Sequence, residues 1–116
     1  KKDIIITPGG DNISPIKIEN DLNKSDFIEQ SLVYGDNKPY LVSLIVLSKE
    51  YKNINKEQIQ QEIDIINKNL SKIEKIKKFL IIKDQFTIEN NMMTPTLKLK
   101  RYKIIKNYKI ELEKLF

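Results

Sequence analysis

Residues 27–47 read FIEQSLVYGDNKPYLVSLIVL, two apolar runs on either side of a polar turn. Gly35-Asp36-Asn37-Lys38-Pro39 collects turn-forming residues between them, so residues 27–34 and 40–47 read as two strands of one antiparallel unit. The second run is almost wholly apolar and predicts a central strand buried on both sides. Upstream, "DIIIT" (3–7), "PGGDN" (8–12) and "IS" (13–14) predict a strand and a hairpin-like turn. Ser14-Pro15 then supplies an N-cap and a proline at the first helical position, and Ile18 and Leu22 lie one turn apart on a short helix ending near Asn23-Lys24. Downstream, Asn55 and Gln58 form a capping-box pattern. Ile59, Ile63, Ile66, Leu70 and Ile73 follow as the stripe of an amphipathic helix, with Glu62, Asp64 and Lys68 on its other side. "FLIIK" (79–83) predicts a further strand, residues 84–98 mostly loop, and Ile105, Tyr108, Leu112 and Leu115 stripe a final helix. The expected architecture is α+β: a small antiparallel sheet flanked by helices, with an N-terminal β-hairpin-like segment.

The 116 residues suffice for one domain with one core. No apolar run approaches the ~20 residues that cross a bilayer, and no signal peptide is legible, because the apolar stretch after Lys1 breaks at Pro8-Gly9-Gly10. The expected location is cytoplasmic, with peripheral contact at the inner face of the cell membrane as the variant. Cysteine and histidine are both absent, which removes thiol chemistry, histidine-assisted nucleophiles and the usual zinc sites. No metal site is expected in this chain. The remaining chemistry belongs to carboxylates, hydroxyls, lysines, backbone amides and a single arginine.

A net charge of +5 invites a nucleic-acid reading. Ile, Lys and Asn, however, fill 52 of 116 positions, and alanine is missing, a skew that raises lysine content whatever the function. Against 20 lysines the sole arginine, Arg101, stands out as a place where a forked guanidinium is needed. The basic run Lys98, Lys100, Arg101, Lys103, Lys106 and Lys109 has Tyr102 and Tyr108 interleaved, but Tyr108 belongs to the helical stripe, and no stacking platform is legible. Gly9-Gly10 fits either a plain hairpin turn or a close approach of ligand to backbone, and lacks the spacing of a dinucleotide or Walker loop. The carboxylates Glu19, Asp21, Glu29, Glu62 and Asp64 offer no acid–base pair and are assigned to the surface. In "FTIENNMMTPTLKLKR" (86–101), Pro95 pins the backbone between two threonines just ahead of Lys98, and Met92 and Met93 read as gap-fillers against the sheet.

Three stretches together resemble the C-terminal domain of the adenylate-forming enzymes, most closely the long-chain fatty acid–CoA ligases. "KKDIIITPGGDNISPIKIEN" (1–20) looks like the family's hinge and glycine motif, "VYGDNKPYLVSLIV" (33–46) like its central hairpin, and "FTIENNMMTPTLKLKR" like its terminal lysine motif. The resemblance runs the full length of the chain. It implies that residues 1–116 are the mobile C-terminal domain of an AMP-forming ligase, whose N-terminal adenylation domain lies in the same polypeptide but outside this chain. The implied reaction converts fatty acid, ATP and CoA into acyl-CoA, AMP and pyrophosphate, with Mg2+ in the full-length enzyme and no cofactor held by this domain alone. By the same resemblance Lys98 matches the lysine that enters the adenylation site. Lys2 and Asp3 match the hinge, and Gly9 and Gly10 match the loop along the pantetheine path. Thr96 and Arg101 support the lysine motif. Most of the superfamily has Ser-Gly before the lysine, where this chain has the long-chain branch's Thr96-Leu97. Asn91 stands where that branch tends to have glycine and still tolerates a left-handed turn. The start of the chain at the expected hinge implies a domain excised from a longer protein. No nucleic-acid partner is expected. The competing reading is a small basic nucleic-acid-binding module, and a third is an interaction domain that kept the fold and lost the chemistry.

Overall fold

β4 (Leu41–Leu47) is the strand on which the molecule is built: six of its seven residues are buried. The computed structural model describes residues 3–116. β3 (Ile28–Tyr34) pairs antiparallel with one edge of β4, placing Leu32 opposite Leu44 and Val33 opposite Ser43. β5 (Ile76–Ile82) takes the other edge, with Leu80 opposite Leu44. A separate antiparallel pair, β1 (Ile5–Ile6) and β2 (Asn12–Ile13), forms the expected N-terminal hairpin.

The α+β class holds, but the three-stranded sheet is mixed rather than antiparallel throughout, because β5 runs parallel to β4. The connection is the cause. Helix α2 (Lys56–Asn67) crosses over between the two strands, and a crossover of this length brings the chain back to the end of the sheet it left, as a parallel pair requires.

Alternation along β4 divides the interior in two. Leu41 and Ile45 face one cluster, which they share with Ile18 and Leu22 of α1 (Pro15–Leu22), Ile59 and Ile63 of α2, and Ile5 and Ile13 of the hairpin. Val42, Leu44 and Val46 face the other, with Leu32, Phe86, Ile104 of α3 (Arg101–Asn107) and Leu112 of α4 (Lys109–Glu113). Ser43 is fully buried between them, its hydroxyl satisfied by the carbonyls of Leu32 and Leu44 at 3.2 and 2.9 Å.

The helix starts follow the sequence: Ser14 Oγ accepts the Lys17 amide, and Asn55 and Gln58 close a full capping box on α2. The ends do not. The stripe predicted through Ile73 stops at Asn67, whose side-chain amide donates to the Ile76 carbonyl and accepts from the Ile76 amide, both at 2.9 Å. This pairing draws the chain into β5 three residues earlier than expected and leaves Ile73 43% exposed on a 3-10 turn. The single final helix is bent at Tyr108 (φ −110°, ψ 18°), although the i→i−4 bonds from Tyr108 to Ile104 and from Leu112 to Tyr108 persist. The fully buried residues there are Ile104 and Leu112, while Ile105, Tyr108 and Leu115 pack around them half-buried.

Candidate functional site

The segment 84–100 has no helix or strand, yet almost every turn in it is hydrogen-bonded. Gln30 of β3 clamps its start, accepting from the Phe86 amide at 2.8 Å and donating to the Phe86 carbonyl at 2.9 Å. Thr87 and Asn90 then cap one another reciprocally at 3.0 Å, and Asn91 takes a left-handed φ of 67°. Met92 and Met93 pack half-buried on the second cluster, as gap-fillers would. From there Met93 pairs with Leu99 in an isolated antiparallel bridge, and the Lys100 amide donates to the Met92 carbonyl at 2.8 Å.

Residues Thr94–Lys98 are therefore the tip of a small hairpin. The Leu97 amide donates to the Thr94 carbonyl and the Thr94 amide to the Lys98 carbonyl, each at 2.8 Å. Thr94 Oγ1 also accepts the Lys98 amide at 3.1 Å and lies 3.0 Å from Thr96 Oγ1. Pro95 fixes φ inside this turn. The turn closes only because Leu97 adopts φ 64°, a conformation that costs a non-glycine residue about 1–2 kcal/mol.

The three cations of this stretch have different environments. Lys98 is exposed, and among the described residues its ammonium has no hydrogen-bond or ion-pair partner. Lys100 Nζ donates to Asn91 Oδ1, tying the two ends of the loop together. Arg101 is buried against Glu19 in a two-pronged pair, Nη1 to Oε2 at 2.6 Å and Nη2 to Oε1 at 2.7 Å. Burial works against the charge on Arg101. The hydrogen bonds and attraction of Glu19, with Asp3 adding to them, outweigh it and hold the guanidinium above its ordinary pKa. Arg101 Nε is buried without a hydrogen-bond partner among the described residues, and Asp3 Oδ2 lies 3.5 Å from it.

Glu19 was expected at the surface and is 5% exposed. Pro15, Ile18, Glu19 and Leu22 are the buried residues of α1, and their spacing is that of one helical stripe, the signal that finds Glu19 in the sequence. Its Oε2 also accepts the Val33 amide of β3 at 2.7 Å. One carboxylate thus joins α1, the sheet edge and the base of the Lys98 hairpin.

Asp3, Ile16, Glu19, Leu97, Lys98 and Arg101 all border one open depression of about 740 Å³. Thr96 sits beside it on the exposed hairpin tip. Gly9 and Gly10 lie elsewhere, on the β1–β2 turn. Gly10 needs its residue type for backbone reasons, at φ 91°, whereas a Cβ on Gly9 would meet nothing nearer than 3.8 Å. Gly9 borders a second depression of about 570 Å³ with Lys38, Tyr40, Asp64, Asn67 and Lys72. No described residue lines both depressions. Lys2 lies outside the described residues. No group of three or more carboxylates among the described residues could hold a metal ion.

The family model for the AMP-binding enzyme C-terminal domain matches residues 2–116. Among curated proteins the chain is similar to the chloroplastic long-chain-fatty-acid–acyl-carrier-protein ligase AEE15 of Arabidopsis thaliana, 32% identical over 99% of this chain and 17% of that protein. It is similar also to the long-chain-fatty-acid–CoA ligase FadD15 of Mycobacterium tuberculosis, 29% identical over 100% of this chain and 23% of that one. Among solved structures, the adenylation domain of a carboxylate reductase from Mycobacterium chelonae superposes with a TM-score of 0.87 at 25% identity, over 97% of this chain and 19% of that chain. The adenylation–carrier didomain of carboxylic acid reductase from Segniliparus rugosus, in complex with AMP, gives 0.86 at 27% identity, over 98% and 17%. The chain spans about a fifth of the length of these relatives.

Proposed function

The chain belongs to the AMP-binding enzyme C-terminal domain family, and from that premise we propose that it is the mobile catalytic domain of a long-chain fatty acid–CoA ligase. A larger adenylation domain of the same polypeptide binds ATP and the fatty acid. In the first half-reaction a carboxylate oxygen attacks the α-phosphorus, pyrophosphate leaves, and an acyl-adenylate forms. Lys98 enters that site as a fixed cation beside the carboxylate and α-phosphate oxygens, where negative charge is redistributed in the transition state. In the second, the domain turns about Lys2–Asp3 and presents the Gly9–Gly10 turn instead, along which the pantetheine of CoA reaches the acyl carbonyl and expels AMP. No metal step is assigned to this chain, because its described carboxylates do not gather; Mg2+ would accompany ATP on the other domain.

A single observation carries this reading: a hydrogen-bonded hairpin presents one exposed lysine that is unpaired among the described residues, while Lys100 and Arg101 beside it are engaged inside the domain. That the Lys98 and Gly9 depressions share no described lining residue supports a domain that shows two faces in turn. In the full-length enzyme, Lys98→Ala is expected to slow adenylation, read as pyrophosphate release, by about 10²–10³-fold. The same variant keeps thioester formation from supplied acyl-adenylate. Lys100→Ala changes either step only a few-fold. Intact adenylation in Lys98→Ala would overturn the proposal. Because one relative is a ligase for acyl-carrier protein, the thioester assay is run with both CoA and a phosphopantetheinylated carrier protein; our reading expects CoA to be the faster acceptor.

A further inference from the structure

Leu97 combines two features that its own domain does not explain. It holds a left-handed φ of 64°, and its side chain is 66% exposed. A strained residue persists where its surroundings over-determine it, and here the hydrogen bonds of the Thr94–Lys98 turn do so. Those bonds require the backbone conformation, which glycine supplies without strain and asparagine with little. They do not require a leucine. Nor does burial, since most of the side chain stands in water at a tip otherwise made of Thr94, Pro95, Thr96 and Lys98. Half-exposed Ile16 borders the same depression as Leu97 and Lys98.

We propose that Leu97 is a positioning residue, an apolar anchor that seats in a complementary socket of the adenylation domain and fixes the orientation in which Lys98 reaches the reacting phosphate. The inference rests on the reading of Lys98 given above. Its occupant is the adenylation domain rather than a separate partner, because residue 97 is bonded into the same turn as Lys98 and goes wherever that lysine goes. In the superposed structures, moreover, the matching region is a fifth of a chain described as an adenylation domain. An anchor of this kind raises the fraction of molecules in the adenylation-competent orientation, so its loss lowers kcat more than it raises the KM for ATP.

The test uses Leu97→Gly, Leu97→Asn and Leu97→Met in the full-length enzyme, with Lys98→Ala alongside. Leu97→Gly and Leu97→Asn both keep or relax the turn, so thermal melts of the 116-residue chain should show an unchanged or higher midpoint. Adenylation kcat should fall about tenfold or more in both, the loss of one buried apolar anchor. Conversion of supplied acyl-adenylate and CoA to thioester should stay within about twofold, and Leu97→Met should recover most of the adenylation rate. Adenylation within twofold of the parent in Leu97→Gly and Leu97→Asn, while Lys98→Ala is crippled, overturns this inference and leaves the function standing. Equal loss of both half-reactions, or a lowered melting midpoint, would show Leu97 to be merely structural and also overturns it. An unaffected Lys98→Ala removes the functional reading itself.

Discussion

Arg101 is the residue whose identity carries most meaning, and its partner explains why lysine does not replace it. A planar fork meets both oxygens of Glu19, which at the same time occupies the Val33 amide on the outer edge of β3. Removing one side of such a buried pair strands the other charge without solvent. Glu19→Ala is therefore expected to destabilise the chain by about 3–5 kcal/mol, seen as a lower urea midpoint. Arg101→Lys should cost less than Glu19→Ala, since a charge remains but only one prong. If Glu19→Ala unfolds at the parental urea concentration, the pair is not structural.

The elements around the β3–β4 loop and α4 are held by groups that can be tested separately. A Cβ built on Gly35 would lie 2.6 Å from Leu41 Cδ2 and 2.9 Å from the Tyr40 carbonyl oxygen. The second is backbone and cannot step aside, so Gly35→Ala should destabilise by about 1–3 kcal/mol in the same denaturation experiment. At the other end, Glu113 fastens α4: Oε1 accepts from Lys38 Nζ at 2.6 Å, and Oε2 from the Tyr34 hydroxyl at 2.5 Å. The Lys38 hydrogen bond first, then that of Tyr34, lower its pKa from the ordinary 4.5 to about 2. A carboxylate depressed on folding contributes stability that is present above its unfolded value and lost as pH falls through its folded one. The contribution of Glu113 is accordingly complete near neutrality and disappears between about pH 5 and pH 2. Glu113→Gln should flatten the fall in urea midpoint over that window and speed hydrogen exchange in residues 109–113. An unaltered acid profile in the variant would remove Glu113 from the account.

For the molecule as a whole, the shared strand decides cooperativity. Both hydrophobic clusters use β4 as their floor, one through Leu41 and Ile45 and the other through Val42, Leu44 and Val46. Neither can come apart while the other keeps its sheet. The 116-residue chain by itself should unfold in one transition, with far- and near-ultraviolet signals coincident. It should make no acyl-CoA from fatty acid, ATP and CoA, because the proposed reaction needs a second domain to hold ATP. Two separated transitions, or ligase activity in the isolated chain, would contradict these expectations.

Much of this was legible in the residues because it depends on neighbours close along the chain. The caps at Ser14 and Asn55, the turn at Gly35–Pro39, the apolar run of β4 and the left-handed tolerance of Asn91 are local backbone and solvation effects. The motifs that resemble the ligase family are equally contiguous, which is why the family itself could be recognised. Direction and partnership were not local. Nothing in "FLIIK" distinguishes a parallel strand from an antiparallel one; the α2 crossover determines that. The length of α2 was set by Asn67 meeting Ile76, and the burial of Glu19 by Arg101, 82 residues away. Composition made Lys98, Lys100 and Arg101 look like one basic patch. Only the fold, by pairing two of them and leaving the third exposed, separated a cation able to act on another molecule from those that hold this one together.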